Sequence, residues 1–426
     1  MNAKPGINLL ADHLFRHEYG KLVSTLTGIF GPEHLQLAED VVQDSLVEAI
    51  SHWSYEGVPD NPAAWLFRVA KNKAINIVNR EKYGKRYVAD MVSADRDGWT
   101  EPAPSHVFSE QQILDDQLRM IFTCCHPSIS ADSQIALALK TLCGFSIAEI
   151  ARAFLSTEET LNKRLVRARQ KIREAAIRFE VPHGAELQRR LKVVLETIYL
   201  LFNEGYSASQ GNDAIRYDLC AEAIRLAEIM EQHPAIEDKS EVYALLALMQ
   251  LNASRFNARQ DGEGNLLTLA EQDRTIWNKE LIAKGISNLK KSFTGTDIST
   301  YQVLATISAH HSTAASIETT DWNSILLLYE NLAQIDSSPI VILNRAIAIS
   351  QVKGAGPALA ELDDLKNNSV LRDYHLYYST RAELSIQLGQ YSDALEDLEQ
   401  AGRLATLDAE KQLIRRRIEL CSRKMR

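Results

Sequence analysis

The sequence has few of the residues and spacings that carry chemistry. Its five cysteines, Cys124, Cys125, Cys143, Cys220 and Cys421, are odd in number and hold no C-x-x-C pair. That argues against a disulfide framework and a zinc knuckle. Cys124, Cys125 and His126 are adjacent but lack an evident fourth ligand, and neighbouring side chains rarely converge on one tetrahedral ion. A buried helix end stopped by Pro127 is the simpler reading. There are no P-loop glycines, no HExxH, no GxSxG and no dinucleotide fingerprint, and carboxylate pairs such as Glu361 and Asp364 suit a wetted helix face. No catalytic residue, cofactor or metal is therefore expected. No apolar run reaches the roughly 18 residues that a membrane span needs. The opening stretch MNAKPGINLLADHLF lacks a signal-peptide pattern, so a cytoplasmic protein without membrane contact is expected.

What is present is ordinary globular composition and an uneven charge. Apolar residues make up 45% of the 426 and charged residues 24%, enough for two to four domains, each with its own core. The net charge of −9 would usually argue against nucleic acid, but residues 1–180 carry only −2 and the remainder −7. Between Arg68 and Arg86, seven basic residues face Glu81 alone. The basic charge is thus local, as phosphate contacts require.

Residues Ser146 to Arg173 read as two helices joined by a tight turn. Ser146 and Glu149 form a capping box, and Ile147, Ile150, Ala151 and Phe154 give the first helix one apolar face. Leu155-Ser156 makes the turn. Thr157 caps a second helix whose first turn holds Glu158 and Glu159, the charge favoured by the helix dipole. Leu161, Leu165, Ala168 and Ile172 share its buried face. Glu159, Lys163, Arg167 and Gln170 lie opposite, with Asn162 and Arg164 on the flanks. The same pattern would suit a helical hairpin with a solvated basic face. It is also the layout of a helix-turn-helix whose second helix enters a major groove.

The segments Glu149-Ile150-Ala151 and Thr160 to Arg169 (TLNKRLVRAR) resemble the promoter-reading region 4 of extracytoplasmic-function sigma factors, in the sigma-70 family. A second match lies upstream, where the helix LAEDVVQDSLVEAISHW presents Glu39, Asp40, Gln43, Asp44 and Glu48 between apolar positions. This helix resembles sigma region 2.2, with its AEDxxQ motif, and Ala64 to Ala70 (AWLFRVA) matches the core of regions 2.3 to 2.4. The resemblance implies two partners, the RNA polymerase core (β′ clamp helices, β flap) and promoter DNA. Glu39, Asp40, Gln43 and Asp44 would then bind core polymerase. Arg68, Lys71, Asn72 and Asn79 would hold the melted strand at the minus-ten element, and Asn162, Lys163, Arg164 and Arg167 would meet the minus-thirty-five element. Trp65 suits base stacking by its chemistry, but in the family pattern its place is in the core.

The expected fold is all-α: sigma region 2 over 1–87, a linker over 88–108, a region 4 helix-turn-helix over 109–181 and a helical extension over 185–426. Two DNA-reading modules on a flexible tether would reach two separated promoter elements. The extension starts with a helix whose apolar face, Leu191, Val194, Leu195, Ile198 and Leu201, needs a partner; Ile172, Ala176 and Phe179 are the nearest candidates in sequence. Later, Tyr378, Ala382, Gly389, Tyr391, Ala394, Leu398 and Ala401 fall near tetratricopeptide spacing, with Ala346, Ala358 and Leu362 as a weaker echo. One such repeat cannot bury its faces alone, so a TPR-like solenoid is expected. The stretches Leu201 to Ser207, Ala258 to Trp277 and Leu343 to Ala346 resemble the long C-terminal extension of one sigma subgroup. Gln272-Asp273-Arg274 within them reads as a polar network at a helix start or as a ligand site.

Three functions fit. The first is a sigma factor that directs transcription initiation, with the extension serving regulation or binding a protein or peptide. The second is a non-transcribing solenoid adaptor retaining a sigma-like module, and the third an enzyme hidden in the helical half.

Overall fold

The computed structural model describes residues 5–84, 109–153, 156–207, 215–294, 298–366, 368 and 371–425. The expected linker, the Leu155 turn position and Phe154 lie outside them. Among the described residues there are helices, short 3-10 turns and a single isolated bridge between Gln260 and Leu266. The chain divides into two compact units: Met1–Leu200 with Gln232–Ile236, and Leu201–Glu231 with Glu237–Arg426.

The first unit begins with α1 (Pro5–Phe30), α2 (Leu35–Glu56) and α3 (Pro62–Gly84), followed by α4 (Glu110–Cys124), α5 (Ala131–Thr141), α6 (Ile147–Ala153) and α7 (Glu158–Glu174). Pro62 opens α3 where its missing N–H costs nothing, and Asn61 Oδ1 accepts from Ala64 N at 3.0 Å. The two expected modules are not separate bodies, because α1 packs on α2 and α3 and also on α4 and α5. Small residues make this possible. A Cβ on Gly20 would lie 2.0 Å from Leu142 O, and one on Gly28 would lie 3.3 Å from Asp116 Oδ1. Any larger side chain at Gly20 would force the helices apart.

The next helix, α8 (Gly184–Tyr206), starts in this unit. Leu191, Val194, Leu195 and Ile198 are buried, each contributing about 1.5–3 kcal/mol by burial. Its polar contacts reach beyond the residues nearest in sequence. Arg190 donates to Phe122 O at 2.5 Å and Thr197 Oγ1 to Gln134 Oε1 at 2.9 Å, so α8 meets α4 and α5. Ala176 is exposed at a left-handed φ of 46°. A second part of the extension joins here, since His233 Nε2 sits 2.9 Å from Asp115 Oδ1.

The second unit takes in α9 (Tyr217–Gln232), α10 (Ser240–Ala253), α11 (Lys279–Ser292), α12 (Thr300–Thr313), α13 (Trp322–Ile335), α14 (Pro339–Lys353), α15 (Ala355–Asp363), α16 (His375–Gln387), α17 (Tyr391–Leu404) and α18 (Asp408–Met425). From α10 onward each helix packs on the next or next but one. Ala382, Ala394, Leu398 and Ala401 share one core, and Gly389 turns between α16 and α17 at φ 75°, a conformation glycine adopts at no steric cost. The segment between α10 and α11 ties helix ends together. Arg259 donates to Tyr206 O, Arg274 to His311 O and Ala314 O, and Arg416 of α18 to Leu266 O.

Candidate nucleic-acid and polymerase interfaces

The local chemistry of the helix-turn-helix is in place. Ser146 N donates to Glu149 Oε2 at 2.8 Å and Glu149 N to Ser146 Oγ at 3.1 Å, the reciprocal capping box. Thr157 Oγ1 accepts from Thr160 N at 3.1 Å, so α7 starts where the sequence says. Leu161, Leu165, Ala168 and Ile172 are buried, which leaves Asn162, Lys163, Val166, Arg167 and Gln170 exposed on the other side.

That exposed face lines a shallow groove of about 630 Å³. A second hollow, of about 530 Å³, adds Arg164, Lys171, Ser130 and Ser133 to Lys163 and Arg167. The two cations at the centre differ. Lys163 Nζ is 2.7 Å from Glu159 Oε1, so part of its charge is answered within the helix. Arg167 has no ion pair among the described residues, and Arg164 reaches Asp132 only at 3.5 Å. Arg169 turns inward, to Glu39 of α2.

On α2, Asp40, Gln43, Asp44, Val47 and Glu48 are exposed. Gln36 Nε2 donates to Asp40 Oδ1 at 2.8 Å, and Lys73 pairs with Glu48 at 2.8 Å. Glu39 is not on this face. It is 1% exposed, with Arg169 Nη2 at 2.5 Å from its Oε2. Burial pushes its carboxyl up, against the pull of Arg169 and Lys140. Lys140 is also buried and lies 5.6 Å from the Tyr19 ring centroid. One polar node therefore joins α1, α2, α5 and α7. Four residues before exposed Gln43, Glu39 reads by helical spacing as a member of the docking face, and nothing in the sequence pairs it with Arg169.

On α3, Leu66, Ala70 and Ala74 are buried, Arg68 and Lys71 half-buried, and Asn72 and Asn79 exposed. Trp65 is a core residue, 6% exposed. It packs 5.5 Å from Trp53 edge-on and 5.3 Å from His52, as the family pattern implies. The cysteine pair is structural: Cys124 and Cys125 are buried, Cys124 Sγ lies 3.2 Å from Thr141 Oγ1, and burial pushes the Cys125 thiol up to about 12. A thiol so raised is a poor nucleophile. No helix of the described residues is long and apolar enough to cross a membrane.

Comparison with known families gives three matches. Residues 14–83 match sigma-70 region 2 and residues 119–172 match sigma-70 region 4. Residues 190–293 match a family of unknown function, DUF6596. An uncharacterized protein of Rhizobium meliloti (strain 1021) is 36% identical over 387 residues, covering 91% of this chain and 90% of its own. No solved structure matches the chain.

Proposed function

Because the chain belongs to the sigma-70 family, we propose that it is a sigma factor of the extracytoplasmic-function type, acting in the cytoplasm to bring core RNA polymerase to particular promoters. It performs no chemistry itself; the polymerase does. Asp40, Gln43 and Asp44 form the face that docks on the β′ clamp helices, with Glu39 behind them bracing α2 against α7. Arg68, Lys71, Asn72 and Asn79 hold the melted strand. Asn162, Lys163, Arg164 and Arg167 meet the upstream element, the cations on phosphates and Asn162 or Arg164 on base edges. The TPR-like extension is regulatory, and its first helix is also a structural part of the sigma unit.

The observation that carries this reading is the two-sidedness of α7, whose apolar stripe is buried while its polar and basic face stays open over a groove. Reconstituted transcription with core polymerase tests it: promoter-specific transcripts are expected. A chain that binds core polymerase yet starts no transcript would be the adaptor instead.

A further inference from the structure

In the second unit the segment between α10 and α11 gathers cations around one indole. Arg255 Cζ lies 5.5 Å and Arg274 Cζ 5.0 Å from the Trp277 ring centroid. Neither arginine has an ion pair among the described residues. Carboxylates nearby are engaged at turns: Asp273 accepts from Thr275, Asp321 from Ser324, and Glu318 is held by Ser316. Arg274, 9% exposed, donates to His311 O at 2.7 Å and Ala314 O at 2.9 Å. Those are the last carbonyls of α12, which offer about half a negative charge. Arg255 is half-buried, and its one side-chain hydrogen bond runs from Nε to neutral Gln272 Oε1 at 3.2 Å. Glu318, at the protein surface, acts on Arg274 from a distance without pairing with it, so Arg255 is the cation of the two that no carboxylate answers among the described residues.

The hydrogen-bond inventory leans the same way. Trp277 is 2% exposed, and its Nε1, like His311 Nδ1 and Ser312 Oγ, is buried without a hydrogen-bond partner. An indole N–H can only donate. Buried polar groups are nearly always paired, so several orphans around one charged cluster call for an explanation. Arginine forks and an indole N–H share one complement, an oxygen-rich anion. His311 agrees with this, since burial and the two arginines hold its imidazole down at about 4, neutral at physiological pH.

We propose that Arg255, Arg274 and Trp277 of the extension form a binding site for a small oxyanion, a phosphate or carboxylate group, received by the Arg255 fork and the Trp277 N–H. Arg274 supplies field and holds α12 in place. The proposal is independent of the transcription reading, because its test needs neither DNA nor polymerase.

The full chain, labelled with nitrogen-15 at its five tryptophans, is titrated with inorganic phosphate or with malonate, at ionic strength held constant with chloride. A saturable shift of the Trp277 indole signal is expected, and the anion that produces it identifies the chemistry. Arg255→Ala should weaken binding at least about tenfold, the scale of one charge-assisted hydrogen bond. Should that variant disturb the other indole signals, Arg255→Lys replaces it; charge without the fork should still cost affinity. Trp277→Phe, followed by the melting shift that phosphate produces, should also bind more weakly. An unmoved Trp277 signal with both anions, or a titration unaltered by the Arg255 variants, overturns the proposal.

Discussion

Glu39 of α2 and Arg169 of α7, 130 residues apart in sequence, meet as a buried ion pair at 2.5 Å. The pair lies between the two sigma segments, and the Glu39 side chain is the more deeply enclosed, 2% exposed against 13% for that of Arg169. Removing the cation alone would strand a charge in the core. Arg169→Ala is expected to destabilise the first unit by about 3–5 kcal/mol, whereas a double change to apolar residues of similar volume should recover most of the loss. Urea unfolding measures both. Equal midpoints for wild type and Arg169→Ala would show that the pair does not brace the unit.

Asp116, beside Gly28 and 2.8 Å from Arg119 Nη1, gives a pH test. Burial raises its carboxyl to about 6, so the folded state holds this proton more tightly than the unfolded one. Its stabilising contribution is full below about pH 4 and is lost as pH rises through about 6. The difference in stability between wild type and Asp116→Asn should change across that window, by on the order of 1–3 kcal/mol. A difference that stays flat from pH 4 to 7 would refute the shift.

On α7 the expected effects are unequal. Arg167→Ala should weaken promoter binding and lower the slope of log affinity against log salt by about one unit. Lys163→Ala should do less, because Glu159 already answers that charge. Glu159→Gln should strengthen binding. Filter binding or anisotropy across a salt series measures all three; identical salt slopes throughout would mean that this face does not meet DNA.

Charge reversal on α2 separates docking from folding. Asp40→Arg and Asp44→Arg, at exposed positions, should reduce capture of the β′ subunit while shifting stability by only about half a kcal/mol. Changes at Glu39 should instead appear first as lost stability. Normal β′ capture by both reversals would remove this face from the interface.

Truncation after Gly184 removes the buried apolar stripe of α8 and the bonds of Arg190 and Thr197 to α4 and α5. The fragment is expected to be aggregation-prone and inactive, since it exposes a surface that the full chain buries. A soluble fragment that transcribes better than the full chain would instead make the extension an inhibitor.

Local structure and the chemistry of the exposed faces follow from short stretches of the chain alone. Capping at Ser146 and Thr157, the 3.6-residue stripe of α7, Pro62 at the start of α3 and the Ala382–Ala401 pairing depend on neighbours within a few residues, so periodicity exposes them. Asp40, Gln43, Asp44, Asn162, Lys163 and Arg167 lie on open faces for the same reason. Tertiary structure decided which polar residues turned inward and which segments came together. Glu39 and Arg169 look like members of solvated helix faces until α2 and α7 are packed. Gly20 and Gly28 look like incidental small residues until α1 is seen against Leu142 and Asp116. The bonds of α8 to α4 and α5 were equally hidden, because an apolar stripe specifies that it must be covered but not by what. Complementarity between distant surfaces carries no short-range periodicity, and only the folded chain contains it.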